Sequence, residues 1–217
     1  VPVFAPKWVL DHANHRPRQL SLAHAAGLDV PRSLTTTDLG EAKAFVESLG
    51  GRAITKLYSS VPVSRTETSA EVMMTTPIDL AVLDELAPEE LHLCPATFQE
   101  HLDKVAEYRV TIVGPSLFVA RVDASGTAGE TDWRRANLEL FQTWAPSSLP
   151  EPVCAALLRL MDRLQLDYGA ADIVETTTGR FVFLEVNPAG EYLWLAPLWD
   201  DAVPAALADL LTGVTPS

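Results

Sequence analysis

Lysine is scarce in this sequence, cysteine scarcer, and an apolar run of membrane-spanning length is missing from its 217 residues altogether. A general nucleic-acid surface needs a basic stripe that displaces counterions from phosphate. With 16 Lys and Arg against 29 Asp and Glu, a net charge of −13, the chain has no such surplus, and nucleic acid is excluded as a general partner. Any phosphate site must be basic locally, so Lys56, the one of four lysines that falls inside an apolar strand pattern, carries more information than it would in a basic protein. Cys94 and Cys154 stand alone, with no Cys-x-x-Cys and no His at ligand spacing. Zinc and a structural disulfide are therefore unsupported, and both residues are expected as buried thiols in a reducing cytoplasm. His12, His15, His24, His92 and His101 form no ligand pattern. No Ser-His-Asp or Cys-His arrangement suggests a protein nucleophile. With no stretch of about 18 apolar residues and no signal pattern, neither membrane insertion nor export is expected.

What is present is an ordinary globular composition, 47% hydrophobic and 21% charged, that can bury a substantial core in one large domain or two small ones. A helix is expected over Pro17 to Ala26, with proline in its first turn and Gly27 as its stop. Asp38 and Glu41 form a capping-box-like start to a second helix that Gly50-Gly51 ends. RAITKLYSS reads as a strand, SRTETSAEVMMTTPI as a mobile turn between strands, and DLAVLDELA as a helix. EYRVTIV and SLFVARVDA flank Gly114-Pro115 as a hairpin, and EPVCAALLRLMDRLQ is an amphipathic helix. AADIVETTTGRFVFLEV is a second hairpin, followed by a helical tail from Asp200 to Leu211. Trp133, Trp144, Trp194 and Trp199 suit core packing better than a peptide groove.

The chemistry concentrates in the second hairpin. A turn at Thr178-Gly179 puts Asp172 opposite Glu185, and alternation along the strand puts Asn187 on the face of Glu185. Two carboxylates held as cross-strand neighbours repel unless something positive sits between them. Magnesium fits, since it takes hard oxygen ligands from one or two carboxylates together with substrate phosphates. The competing reading is a half-exposed hairpin with solvated acids on one face. In the first hairpin, a three-residue loop would set Arg109 against Arg121 and call for an anion between them, whereas a two-residue loop would not. Both arginines could instead pair with acids such as Glu107 and Asp123. Lys56 either neutralises phosphate or snorkels at a sheet edge.

FLEVNPAGEYLWL, preceded by YGAADIVETTTGRF, resembles the carboxy-terminal metal motif of ATP-grasp ligases, in particular the microviridin-type or graspetide branch that macrocyclises ribosomally made peptides. RQLSLAHAAGLDVPRSLTT, GGRAITKLYSS, MMTTPI, TFQEHLDKVAEYRVTIVG, LFVARVDA and TDWRRAN follow in the family's order. The resemblance implies an α+β ATP-grasp fold of two lobes with largely antiparallel sheets and a nucleotide cleft between them. Residues 1–15 would be an amino-terminal remnant or linker, 16–98 the central lobe and 99–217 the carboxy-terminal lobe with the metal site. It implies that Asp172, Glu185 and Asn187 bind Mg2+, that Lys56 contacts ATP phosphates, and that Gln99, Glu100, His101 and Leu102 grip adenine. Arg121 and Arg134 would face the transferring phosphoryl group, with Asn137 assisting at the metal and Glu107 and Arg109 handling nucleotide or substrate. Arg16 stands where the family usually has Lys, KLYSSVPVSRTE lacks the glycines of a flexible phosphate-covering loop, and APLWDDAVP replaces the family's usual acidic residue and Thr-Gly turn.

The implied activity is activation of Asp or Glu side chains of a precursor peptide as acyl phosphates, with attack by Ser, Thr or Lys giving lactone or lactam rings. Two other functions fit the same residues: ligation of an amino acid to a protein or peptide terminus, and non-catalytic binding of a peptide or partner. The family implies a homodimer, and because the sequence starts with Val and family members carry a further amino-terminal domain, the natural protein is expected to extend upstream.

Overall fold

A computed structural model describes residues 5–57, 65–66, 69–70, 76–92, 94–123 and 143–213. The helices are α1 (Lys7–Ala13), α2 (Arg16–Ala25), α3 (Leu39–Ser48), α4 (Leu80–Glu85), α5 (Pro88–His92), α6 (Glu151–Leu164) and α7 (Ala202–Thr212). The strands are β1 (Ser33–Thr36), β2 (Arg52–Leu57), β3 (Arg65–Thr66), β4 (Ser69–Ala70), β5 (Thr76–Asp79), β6 (Ala96–Glu100), β7 (Lys104–Val113), β8 (Ser116–Asp123), β9 (Ala145–Pro146), β10 (Tyr168–Thr176) and β11 (Phe181–Asn187). The fold is α+β, and every strand pairing within its sheets is antiparallel. Of the described residues, 31–103 form one compact unit, and 5–30, 104–123 and 143–213 form the other. The boundaries thus fall after residues 30 and 103, where the sequence reading had put them after 15 and 98.

The smaller unit is a four-stranded sheet, β1-β6-β2-β5, covered by α3 and α4 through Leu39, Ala42, Val46, Leu83 and Phe98. Asp38 caps α3 by accepting the Glu41 N–H at 2.8 Å. The return contact of the expected capping box runs through Thr36, whose hydroxyl donates to Glu41 and accepts the Asp38 N–H. Most of SRTETSAEVMM lies outside the described residues.

The larger unit is a five-stranded sheet, β11-β10-β7-β8-β9, with α1, α2 and α6 on one face. Residues 7–13, within the stretch expected as an amino-terminal remnant or linker, form α1, and Val9 and Ala13 are buried in this core. The amphipathic α6 contributes Ala156, Leu157, Leu160, Met161 and Leu164, and ends at Gln165 in the left-handed conformation. Alternation along β7 sends Ala106, Tyr108, Val110 and Ile112 into that core. Glu107, Arg109, Thr111 and Val113 therefore stand on the opposite face.

Two irregularities decide what this second face carries. Asp172 pairs with Glu185 but Ile173 pairs with Phe183, so Leu184 is an extra residue, a β-bulge. In an unbroken strand Glu185 would share the face of Phe181 and Phe183 and enter the apolar core. The bulge reverses that parity, so Phe183 and Val186 stay in the core while Glu185 and Asn187 turn outward with Asp172. A second bulge, at Val105, puts Lys104 beside Glu107.

β11 is an edge strand, and residues from the first 30 close its outer side. The Phe183 N–H donates to the Asp29 carbonyl at 2.8 Å. The buried Gln19 side chain accepts the Val186 N–H at 3.0 Å and donates to the Val186 carbonyl at 2.8 Å, standing in for a neighbouring strand residue. It also donates to the Ala13 carbonyl, so one amide joins α1, α2 and the sheet. No helix among the described residues is long and apolar enough to cross a membrane.

Cys94 is exposed, contrary to the expectation of two buried thiols, because it follows α5 at the end of its turn. Cys154 is half-buried on α6, and burial pushes its pKa up. A thiol reagent near neutral pH is therefore expected to label Cys94 in the folded protein and Cys154 only after unfolding, as read by peptide mapping. Gln19→Ala leaves two backbone groups of Val186 without their partner, and is expected to cost about 1–3 kcal/mol for each that stays unsatisfied. A lowered urea midpoint with an unchanged slope is the check; an unchanged midpoint would mean that water replaces the amide.

Candidate active site

The face of the larger sheet opposite α1, α2 and α6 carries a row of four charges across three strands and a helix. Arg109 on β7 is the register partner of Asp172 on β10, and Asp172 is that of Glu185 on β11. Beyond the edge, Arg16 in the first turn of α2 reaches Glu185. Arg109 Nη1 donates to Asp172 Oδ1 at 2.8 Å, and Arg16 Nη2 lies 2.5 Å from Glu185 Oε2. The order across the sheet is thus plus, minus, minus, plus. The paired acids are not the solvated surface carboxylates of the competing reading, since their side chains are only 21% and 23% exposed. Repulsion between them is offset by one guanidinium at each end.

The two arginines differ in freedom. Arg109 is 11% exposed and its Nε is buried without a partner among the described residues. The NPAG turn confines it: a Cβ at Gly190 would come within 3.0 Å of Arg109 Nη2 and 2.5 Å of the Ala170 Cβ, so only glycine permits this approach. Asn187 shapes that turn by accepting the Ala189 N–H at 2.9 Å, and the Tyr168 hydroxyl donates to the Gly190 carbonyl. Arg16 is 47% exposed. A cation in the first turn of a helix opposes the macrodipole, and α2 has no acid there to compensate. Glu185 supplies the missing anion.

Glu107 and Lys104 stand on the same face as a buried pair, Nζ to Oε1 2.5 Å. The sequence reading passed over Lys104; its signal was rarity, as one of four lysines, and the bulge that buries it has no sequence mark.

Arg121 is not part of this row. Val113 pairs with Ser116, so Gly114-Pro115 is a two-residue turn that sets Arg109 against Ala120 and Arg121 against Tyr108. Gly114 takes φ +53° and proline holds the next φ negative, the combination of a type II′ turn. The facing pair of arginines that a three-residue loop would have made does not form. Arg121 instead donates to the Tyr108 hydroxyl at 3.2 Å and pairs with Asp123 at 2.7 Å, on the helix-packed face. Tyr108 in turn donates to Glu175 at 2.8 Å, and burial, followed by that carboxylate, raises its pKa.

In the smaller unit, Lys56 lies on β2 opposite Thr97, and its side chain is outside what the structure describes. Gln99 is buried on β6; its amide donates to Ser33 Oγ at 2.9 Å while its Oε1 has no partner among the described residues. Glu100 accepts the Arg32 N–H at 3.2 Å, His101 lies 3.1 Å from the Arg52 guanidinium, and Leu102 is half-buried. Arg134 and Asn137 lie outside the described residues.

No group of three or more His, Cys, Asp and Glu side chains poised for a metal occurs among the described residues. The set on the face opposite the helices is smaller: two adjacent carboxylates and, two positions along β11, the Asn187 amide. All three are hard oxygen donors. That suits magnesium, which is commonly held through one or two carboxylates with substrate phosphates completing its shell.

No protein-family model matches the chain, and no curated protein sequence does. Solved structures do. A RiPP-associated ATP-grasp ligase from Chryseobacterium gregarium, in complex with ADP and a leader and core peptide, superposes with a TM-score of 0.91 at 27% identity, covering 98% of this chain and 63% of that one. The macrocyclase MdnC from Microcystis aeruginosa MRC, bound with precursor peptide MdnA, gives 0.82 at 32% identity, with coverage of 98% and 64%. The ATP-grasp ligase PsnB, complexed with a phosphomimetic precursor variant, Mg and ADP, gives 0.73 at 22% identity, with coverage of 98% and 62%, and speaks to the fold alone. The chain thus spans under two thirds of the length of these proteins. The likeness runs over nearly all of this chain's residues, and its α+β fold is the ATP-grasp fold, similar to that of these RiPP-associated ligases.

Proposed function

We propose that the chain is the nucleotide- and metal-binding part of an ATP-dependent ligase that closes rings in a ribosomally made precursor peptide. The observation that carries this reading is the Asp172–Glu185 pair, turned out of the core by the Leu184 bulge onto a face where guanidinium groups flank it. Acids at such a position cost stability unless charge compensates them, so their use lies in binding. The peptide-bound ligases to which the chain is similar support the substrate class.

Asp172, Glu185 and Asn187 would hold Mg2+, which when bound neutralises phosphate charge and polarises the phosphoryl oxygens. Arg16 meets the remaining phosphate charge, Arg109 holds Asp172 in place, and Lys104 holds Glu107. Gln99 to Leu102 and Lys56 keep the nucleotide-contacting roles that the family resemblance implies. The substrate carboxylate takes up the terminal phosphoryl group of ATP, leaving ADP. A Ser or Thr hydroxyl or a Lys amine then attacks the acyl carbon, the C–O bond to phosphate breaks, and an ester or amide remains. No side chain is consumed, so the residues contribute positioning and charge neutralisation. Arg121, on the far face, takes no part in this scheme, while Arg134 and Asn137 keep the roles that the family resemblance implies. A cytoplasmic location and a homodimer belong to the same reading.

Calorimetry with ADP and Mg2+ is expected to detect binding to the wild-type chain, and Glu185→Ala to abolish its metal dependence with cooperative unfolding retained. Wild-type affinity in that variant would overturn the metal assignment. With ATP, Mg2+ and a precursor peptide, the full-length protein is expected to remove the mass of one water per ring, whereas a gain of a residue mass would identify an amino-acid ligase instead.

A further inference from the structure

Resting on the reading that Asp172 and Glu185 hold a divalent cation, we propose that Arg16 acts as a movable counter-ion that shuts this site to the free ion and opens it to the ion paired with a polyphosphate. The row of Arg16, Glu185, Asp172 and Arg109 sums to zero formal charge, so a lone dication gains little from approaching it. An ion that takes Glu185 Oε2 draws it from a guanidinium at 2.5 Å, and one that takes Oε1 alone sits beside that guanidinium's charge.

A polyphosphate changes the balance, because its anionic oxygens offer the guanidinium bidentate partners equivalent to the carboxylate it gives up. Arg16 can make this exchange and Arg109 cannot. The latter is enclosed by Gly190 and nine-tenths buried, whereas the former is half-exposed. The backbone beneath Arg16 stays fixed, since Gln19, one turn along α2, is bonded to both backbone groups of Val186 beside Glu185. Only the side chain needs to swing. Magnesium and nucleotide then bind with positive coupling, and by linkage each raises the affinity of the other by the same factor.

Mn2+ is the probe, with free ion counted by electron paramagnetic resonance and cooperative thermal unfolding confirmed for each variant. Wild-type protein is expected to bind Mn2+ weakly alone and about tenfold or more tightly with saturating ADP, a coupling in the usual allosteric range. Arg16→Gln removes the counter-ion, so its affinity for Mn2+ without ADP should rise by a similar factor and its coupling to ADP should shrink. Arg18→Gln makes the same change in net charge on an exposed residue of the same helix and should match wild type. Equal free-ion affinity in wild type and Arg16→Gln, or an equal rise in Arg18→Gln, overturns the counter-ion role while leaving the metal site standing. Absence of Mn2+ binding to wild type even with ADP overturns the proposed function, and this inference with it.

Discussion

Two carboxylates side by side on adjacent strands are the constraint around which the larger unit is arranged. Asp172 and Glu185 repel at the spacing of direct cross-strand partners, and their row is stable because Arg109 and Arg16 close it at both ends. Each closure depends on a different part of the chain. Arg109 arrives by the β7–β10 register, set by the apolar residues that alternate with it. Arg16 arrives on a helix docked through Gln19, so residues far away in sequence complete a site whose motif lies near the carboxy terminus.

The Leu184 bulge makes this row compatible with a core. β11 is apolar enough to be buried on both faces, and strict alternation would bury Glu185 among Phe181, Phe183 and the side chains of α6. One inserted residue keeps Phe183 and Val186 inward and sends Glu185 outward. The acid is therefore half-buried on a sheet face beside a guanidinium and not enclosed in the apolar core.

The architecture was legible because it rests on periodicity: α6, the two hairpins and the smaller unit's α3 follow from spacing, caps and turn residues. The cross-strand meeting of Asp172 and Glu185 was legible too, though the uniform ladder assumed for it is not the one that forms; the turn is offset by one residue and the bulge restores the register. Bulges at Leu184 and Val105 leave no pattern, because any apolar residue can be the extra one. The burial of Lys104 was therefore invisible. Arg121 depended on a single residue of loop length, and the backbone preference of Gly114-Pro115 decided it. Helix α1 escaped notice because its seven residues bury only Val9 and Ala13, too few for a helical period.

Arginine rather than lysine at position 16 fits the same physics. A guanidinium holds a carboxylate through a planar fork and accepts a phosphate with the same fork, so it exchanges one anion for the other without an intervening unpaired state. An ammonium group is a point charge, more strongly hydrated, and would hold Glu185 less directionally. The division of labour between a confined Arg109 and an exposed Arg16 follows from their supports. One sits inside a sheet under a glycine turn, and the other extends from the first turn of a helix whose backbone is tied down one turn further along. A site built this way keeps its acids in register through their ion pairs, and of its two cations only the half-exposed Arg16 has room to turn.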